Sequence, residues 1–232
     1  MKKINCESCP IRDTSCIADL SADQLEEFRS FSLSAVYKPR QVLFHEGTPA
    51  SGLYVLCHGA VKLYQSGRFG RDHILCIAGP GEVLGELPLN PTDPYSASAE
   101  ALIESQVCYL PRERLVRFIE FHPMTGVRLI AALSDALIAA RHKVRDMVLK
   151  PAETRLAELL VNLTSTAVNG DAPRQVTLAY SRRDIAEMIG VSTETAIRLL
   201  ARFKSKGAIA THGRELTVTD LEKLRRFASV PF

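Results

Sequence analysis

The sequence predicts an α+β chain, and three observations carry that prediction. Short, turn-punctuated apolar runs lie between Phe31 and Leu110, a long helical periodicity runs from about Gly126 to Lys150, and helices mix with short strands after Pro151. With 232 residues, 46% hydrophobic and 24% charged, 13 Gly, 12 Pro and no Trp, the composition is that of ordinary globular protein and excludes fibrous or broadly disordered chains. No stretch of about 18 apolar residues is present, and Met1-Lys2-Lys3-Ile4-Asn5-Cys6 leads into polar sequence. Neither a membrane span nor a secretion signal is therefore expected, and the expected location is the cytoplasm.

The opening segment, residues 1–20, holds Cys6, Cys9 and Cys16. In a reducing compartment so close a group reads as metal-binding or redox-active, since cytosolic chains seldom keep structural disulfides. Ser21-Ala22-Asp23-Gln24-Leu25-Glu26-Glu27-Phe28 then joins an N-cap residue to a short amphipathic pattern, which predicts a small helix. Strands follow at Val42-Leu43-Phe44, Leu53-Tyr54-Val55-Leu56, Ala60-Val61-Lys62-Leu63-Tyr64 and Ile74-Leu75-Cys76-Ile77, punctuated by Gly59, Gly67 and Gly79-Pro80-Gly81. That spacing predicts a compact antiparallel barrel or sandwich over 21–125. Cys57 and Cys76 read there as small apolar strand residues.

Over 126–150, Ile130, Leu133, Leu137, Ala140, Val144 and Met147 or Val148 alternate three and four residues apart, the seam of a coiled coil. The seam predicts a homodimer; the alternative is a helix packed on its own domain. Pro151 is expected to stop or kink the helix and to mark an inter-domain hinge. Residues 151–232 then read as a helix from Ala152 to Thr166, a loop over Asn169–Pro173, a strand from Gln175 to Ala179, two short helices and a hairpin near His212-Gly213-Arg214. This is the order of a winged helix. Charge supports the division: residues 1–150 carry 17 Lys and Arg against 17 Asp and Glu, whereas 151–232 carry 12 against 9. The whole positive surplus sits in the last third, which points to nucleic acid.

The most specific segment runs from Ser181 to Leu200. Ser181 and Ser192 are placed to cap two helices, Gly190 suits a left-handed turn between them, and Ala186 is small where the helices cross. Ile185, Ile189, Val191, Ala196 and Leu199 form a shared apolar seam. This is a helix-turn-helix whose second helix presents Thr193, Glu194, Ile197 and Arg198, with Arg182, Ser192, Thr195, Arg202, Lys204 and Lys206 in reach of the DNA backbone. Arg pairs bidentately with guanine O6 and N7, and Glu accepts from cytosine N4, so Arg198 and Glu194 are the base-reading pair. Their spacing also suits a surface ion pair.

The whole pattern resembles the Crp/Fnr superfamily of regulators: β-roll sensor (a jelly roll of the cyclic-nucleotide-binding kind), long dimerisation helix, C-terminal winged helix-turn-helix. The residues carrying the resemblance are Gly79-Pro80-Gly81-Glu82 and Gly85-Glu86-Leu87 in the roll, with Glu194-Thr195-Ala196-Ile197-Arg198 in the recognition helix. It implies a non-enzymatic transcription regulator that binds double-stranded DNA at a palindromic promoter site as a homodimer and works with RNA polymerase. Members that bind cyclic nucleotides follow Gly-Glu-Leu with an Arg-Ser or Arg-Thr pair that grips the phosphate. Here Pro94-Tyr95-Ser96-Ala97 puts Tyr95 at the place of that Arg, so no cyclic nucleotide is expected.

The cysteines resemble instead the oxygen-sensing Fnr branch, which holds a [4Fe-4S] cluster through three N-terminal cysteines and one near the end of the roll. Glu104-Ser105-Gln106-Val107-Cys108-Tyr109-Leu110-Pro111 resembles the segment of that fourth ligand. The implied ligands are Cys6, Cys9, Cys16 and Cys108. The spacing Cys6-x2-Cys9-x6-Cys16 departs slightly from the branch, and structural zinc, a dithiol switch or a vestigial segment are the alternatives. With those alternatives goes a roll gated by a small molecule. Thr193 and Ile197 also depart from the family pattern, leaving the outer bases of the half-site open.

Overall fold

The computed structural model describes residues 9, 11, 18, 20–67, 72–87, 90, 92–167, 176–178, 180–213 and 215–229. Cys6, Cys16, the loop 169–173, the expected strand ends Gln175 and Ala179, and Arg214 lie outside the described residues. Two compact units divide the chain between Ile138 and Ala139.

In the first unit the Ser21 hydroxyl accepts from the Gln24 amide at 3.3 Å while the Gln24 side chain accepts from the Ser21 amide at 3.0 Å. This reciprocal cap starts α1 (Ala22–Phe31) where the sequence predicts it. The strands are β1 (Leu33–Tyr37), β2 (Val42–Phe44), β3 (Gly52–His58), β4 (Val61–Ser66), β5 (Asp72–Ala78), β6 (Val83–Leu84), β7 (Ser98–Ala101) and β8 (Ser105–Pro111). They form two antiparallel four-stranded sheets, ordered β1-β8-β3-β6 and β2-β7-β4-β5. Phe44, Tyr54, Leu56, Val61, Leu84, Tyr95 and Val107 fill the space between them.

The outer face of the first sheet is covered by helices. Leu25 and Phe28 of α1 pack with Leu115 and Phe118 of α2 (Arg112–Phe121) and Leu129 of α3 (Pro123–Leu149) onto Leu53, Val55, Cys57, Cys108 and Leu110. β3 is buried on both faces for this reason: Leu53, Val55 and Cys57 turn to the helices, Tyr54 and Leu56 to the sandwich. The sequence did not announce α2, whose N-cap is Pro111 with no side-chain cap. α3 begins three residues before the expected Gly126 because Pro123 suits a first helical turn. Gly126 is a close approach and not a break: a Cβ there would lie 2.9 Å from Ile119.

Beyond Leu129, α3 keeps its apolar residues on the surface. Ile130 (65%) and Val148 (77%) are among the most exposed, joined by Leu133, Leu137, Ala140 and Val144, while Met147 is half-buried. By length and composition α3 is apolar enough to cross a membrane, which the sequence reading did not anticipate. Arg128, Asp135 and Arg141 interrupt it, so its exposed apolar residues suit a protein surface better than a lipid one.

The second unit packs α4 (Ala152–Ala167), α5 (Arg182–Ile189), α6 (Thr193–Ser205) and α7 (Leu221–Ala228) with a three-stranded antiparallel sheet ordered β10-β11-β9. These strands are β9 (Val176–Leu178), β10 (Ile209–His212) and β11 (Glu215–Val218). The core is Leu156, Leu160, Ile185, Ile189, Leu200, Phe203, Leu216 and Leu224. The winged-helix order is as expected, with α7 added after the wing.

Candidate DNA interface and sensor cysteines

Local chemistry sets the helix-turn-helix. The Ser181 hydroxyl accepts from the Asp184 amide at 3.0 Å and Asp184 accepts back from the Ser181 amide at 3.0 Å, starting α5. Gly190 ends it at φ 67°, ψ 46°, a conformation that penalises any Cβ. Ser192 accepts from the Thr195 amide at 3.2 Å and starts α6. Ile185, Ala186, Ile189 and Ala196 are buried as expected, and Val191 and Leu199 are half-buried against the same core. Leu200 and Phe203, which the sequence reading left out of this seam, are buried as well; their spacing from Ala196 is the signal that was available.

Buried Ala196, Leu200 and Phe203 fix the rotation of α6, so its opposite face is outward. Ser192, Glu194, Ile197, Arg198 and Lys204 are exposed there, and Thr193 and Thr195 are half-exposed. Lys206, just after the helix, is also exposed. Two nominated arginines have intramolecular settings. Arg202 pairs with Glu153 of α4 at 2.9 Å, and Arg182 is half-buried with one buried guanidinium nitrogen making no hydrogen bond. An outward helix with a carboxylate and a guanidinium one turn apart is suited to a major groove.

One residue that the sequence reading missed holds this unit in register. Arg155 of α4 donates from Nε to the Ile189 carbonyl at 3.0 Å, and from one terminal nitrogen to the carbonyls of Met147 at 3.2 Å and Lys150 at 2.6 Å. Ile189 ends α5 and Met147 lies in the last turn of α3, so the guanidinium satisfies carbonyls that the helices themselves leave open. Beside it, Lys150 reaches Asp146 at 2.8 Å and Glu158 at 2.6 Å. Burial alone would push the Asp146 carboxyl up, but hydrogen bonds from Lys150 and Arg145 outweigh it and hold the group below the usual carboxylate range.

In the first unit Tyr95 is 2% exposed and stacks on Phe44 with ring centroids 4.2 Å apart. Its hydroxyl donates to the Gly52 carbonyl at 2.7 Å and accepts from the Gly52 amide at 3.2 Å. Gly85 makes room for the ring: it sits at φ 88°, and a Cβ would lie 3.0 Å from Tyr95. One carboxylate oxygen of Glu86 accepts from the Ser96 hydroxyl, and the other is buried without a hydrogen bond. The residue that the resemblance sets at the place of the phosphate-gripping Arg is thus a packed aromatic group.

Cys9, Cys57, Cys76 and Cys108 are thiols. Cys108 is 5% and Cys57 4% exposed, both within the apolar cluster beneath α1, and half-buried Cys9 packs against that cluster. Cys57 is a strand residue of the core, as expected. The sequence did not disclose that its thiol also hydrogen-bonds Cys9, which brings the Cys9 thiol down to about 6 against the opposing effect of burial, with help from the Ile11 backbone. Cys76 lies on β5 but is exposed, not packed. Among the described residues no group of three or more His, Cys, Asp or Glu side chains is arranged to hold a metal ion.

Comparison with known proteins agrees with this architecture. A model of the cyclic nucleotide-binding domain matches residues 35–122, and one of the Crp-like helix-turn-helix domain matches 154–227. The chain is 30% identical over 199 residues to the CRP-like cAMP-activated global transcriptional regulator of Mycobacterium tuberculosis, covering 84% of this chain and 88% of that one. It is 26% identical to the transcriptional activator protein anr of Pseudomonas aeruginosa, over 95% and 91% of the two chains. The structure of FixK2 from Bradyrhizobium japonicum superposes with a TM-score of 0.72 at 24% identity, over 87% of this chain and 99% of that one, a likeness of fold.

Proposed function

Because the chain belongs to the Crp/Fnr family of DNA-binding transcription regulators, we propose that it is a cytoplasmic homodimer that reads a palindromic promoter site and takes its signal from oxygen or redox state through a [4Fe-4S] cluster. The DNA reading rests on one observation: α6 is rotated so that Glu194 and Arg198 face outward while Ala196, Leu200 and Phe203 are buried. Arg198 recognises guanine and Glu194 the cytosine of a C·G pair. The apolar residues exposed along α3 carry the dimer, and contact with RNA polymerase follows from family membership.

The cluster reading is supported by Cys9 and Cys108, which meet in one apolar patch although they lie far apart in sequence. Thiols in low-dielectric surroundings fit an iron-sulfur group. Cys6, Cys9, Cys16 and Cys108 would hold it, and when bound it supplies a centre that reacts with oxygen or nitric oxide. With the cluster bound, ligation by Cys108 would tie Cys6, Cys9 and Cys16 to β8. Iron and acid-labile sulfide analysis of anaerobically purified protein tests this: iron and sulfide in equal amounts, lost together in a Cys108→Ala variant, are expected. Protein that stays free of iron after anaerobic reconstitution yet binds DNA specifically would refute it.

A second reading has an observation of its own. The matched cyclic nucleotide-binding domain and the cAMP-activated relative favour an effector in the roll, and Glu86 keeps a buried carboxylate oxygen without a hydrogen bond there. Tyr95, packed between Phe44 and Gly52, stands against a cyclic phosphate, because a bonded aromatic ring fills the place that the resemblance gives to a guanidinium. Calorimetric titration with cAMP separates the two readings.

A further inference from the structure

Among the described residues, Cys57 is the one buried thiol outside the proposed ligand set. It sits on the helix-facing side of β3, two residues past Val55, and Val55 is the register partner of Cys108 on β8. The register slips between Leu56 and His58, so Cys57 lies at a bulge, where the ladder is broken and the side chain is re-aimed. Above it is Cys9, carried on the segment before α1, half-buried and in hydrogen-bond contact with the Cys57 sulfur. Two thiols from distant parts of the chain are thereby brought together in apolar surroundings beside a third, Cys108.

We propose that Cys57 is the redox partner of Cys9, and that in the metal-free protein the two form a reversible disulfide that withholds Cys9 from any other ligand. The inference needs only thiols and stands whether or not a cluster binds. Its oxidant is a low-molecular-weight disulfide of the glutathione class. The Cys9 thiolate, the more accessible of the two, attacks one sulfur of the oxidant and expels one glutathione thiolate, leaving a mixed disulfide on Cys9. The Cys57 thiolate then attacks the Cys9 sulfur and expels the second glutathione. Two electrons pass from the protein to the oxidant, and the two protons end on the two glutathione thiols. Closing the sulfur pair to the disulfide length of about 2.05 Å requires movement of the sulfurs by about 1–2 Å, which half-buried Cys9 accommodates more readily than Cys57 on its strand.

The test uses full-length protein stripped of metal under anaerobic conditions, oxidised with glutathione disulfide, alkylated and digested with trypsin and a glutamate-specific protease. Cleavage after Glu7 and Arg12 isolates Cys9 from Cys6 and Cys16, and cleavage after Glu46 and Lys62 isolates Cys57. Mass spectrometry is expected to find the Cys9 and Cys57 fragments linked, and a reductant is expected to restore alkylation of both. Linkage of Cys9 to Cys6, Cys16 or Cys108, or full alkylation of Cys9 after oxidation, overturns the proposal. In a Cys57→Ser variant whose circular dichroism matches wild type, the reaction is expected to stop at the mixed disulfide, with glutathione on Cys9 and no link to another fragment of the chain; a disulfide between Cys9 and another cysteine of the chain there, or no glutathione on Cys9, overturns it too. Iron and sulfide uptake by reduced protein, measured separately, reports on the cluster reading: failure of uptake with the disulfide present refutes the cluster alone.

Discussion

Replacing Arg155 with Met removes the guanidinium that ties the end of α3, the start of α4 and the end of α5 while keeping most of the aliphatic stem. Three hydrogen bonds are lost, at 3.0, 3.2 and 2.6 Å. Hydrogen bonds to a charged group contribute roughly 1.5–3 kcal/mol each, but the three share one cation, and the freed carbonyls at helix ends regain water. The expected loss is therefore about 3 kcal/mol, below the roughly 4.5–9 kcal/mol of the plain sum. For a unit of the size of Ala139–Phe232, about 4–8 °C is lost per kcal/mol, so the melting temperature of this unit should fall by about 12–24 °C. Calorimetry or far-ultraviolet circular dichroism reads the shift. Arg155→Lys should recover only part of it, because an ammonium lacks the planar fork that reaches α3 and α5 together. A melting temperature for Arg155→Met within about 3 °C of wild type would show that Arg155 caps nothing of consequence.

Other outcomes follow from the same geometry. Arg198→Ala should cost about 1–3 kcal/mol of DNA-binding free energy and relax preference at one base pair, read by mobility shift against a panel of half-sites; unchanged selectivity refutes its base-reading role. Leu137→Glu places a carboxylate on the exposed face of α3 and should give a folded monomer in sedimentation velocity, with DNA affinity lower by about 100-fold or more through loss of bivalent binding; a stable dimer with wild-type affinity would exclude this face. Asp146, held below its ordinary value, stabilises the fold above a pH of about 3.9 and loses that contribution as pH falls through its lowered value. Acid unfolding of Asp146→Asn should therefore be less steep over that range than wild type, and superimposable curves would remove the carboxylate from the account.

The helix-turn-helix was legible because its determinants are local: two serine caps, one glycine in a left-handed turn and an apolar repeat all lie within twenty residues. The same holds for α1, whose capping box is four residues long. The α2 helix left no such mark, since Pro111 offers no capping side chain, and its Leu115 and Phe118 acquire meaning only when α1 and β3 cover them. For α7 a signal was available, because Asp220 accepts from the Lys223 amide at 3.0 Å and basic residues fill the last turn. Arg155 and the contact of Cys9 with Cys57 were beyond reach. Each depends on where distant backbone arrives, and no spacing within one segment encodes a carbonyl presented by another helix or a bulge between Leu56 and His58.

The exposed apolar stripe of α3 has a consequence for how the protein is counted as well as how it is built. If two copies must meet along that stripe before both recognition helices engage DNA, promoter occupancy at low abundance rises with the square of the protein concentration. Synthesis and proteolysis then become inputs on the same footing as any chemical signal. A threefold change in copy number moves the concentration of DNA-competent species by about ninefold well below the dissociation constant of the dimer and by about fourfold near it. Through Ile130, Leu133, Leu137, Val144 and Val148, exposed in the single chain, such a dimer would make the regulator sensitive to its own abundance.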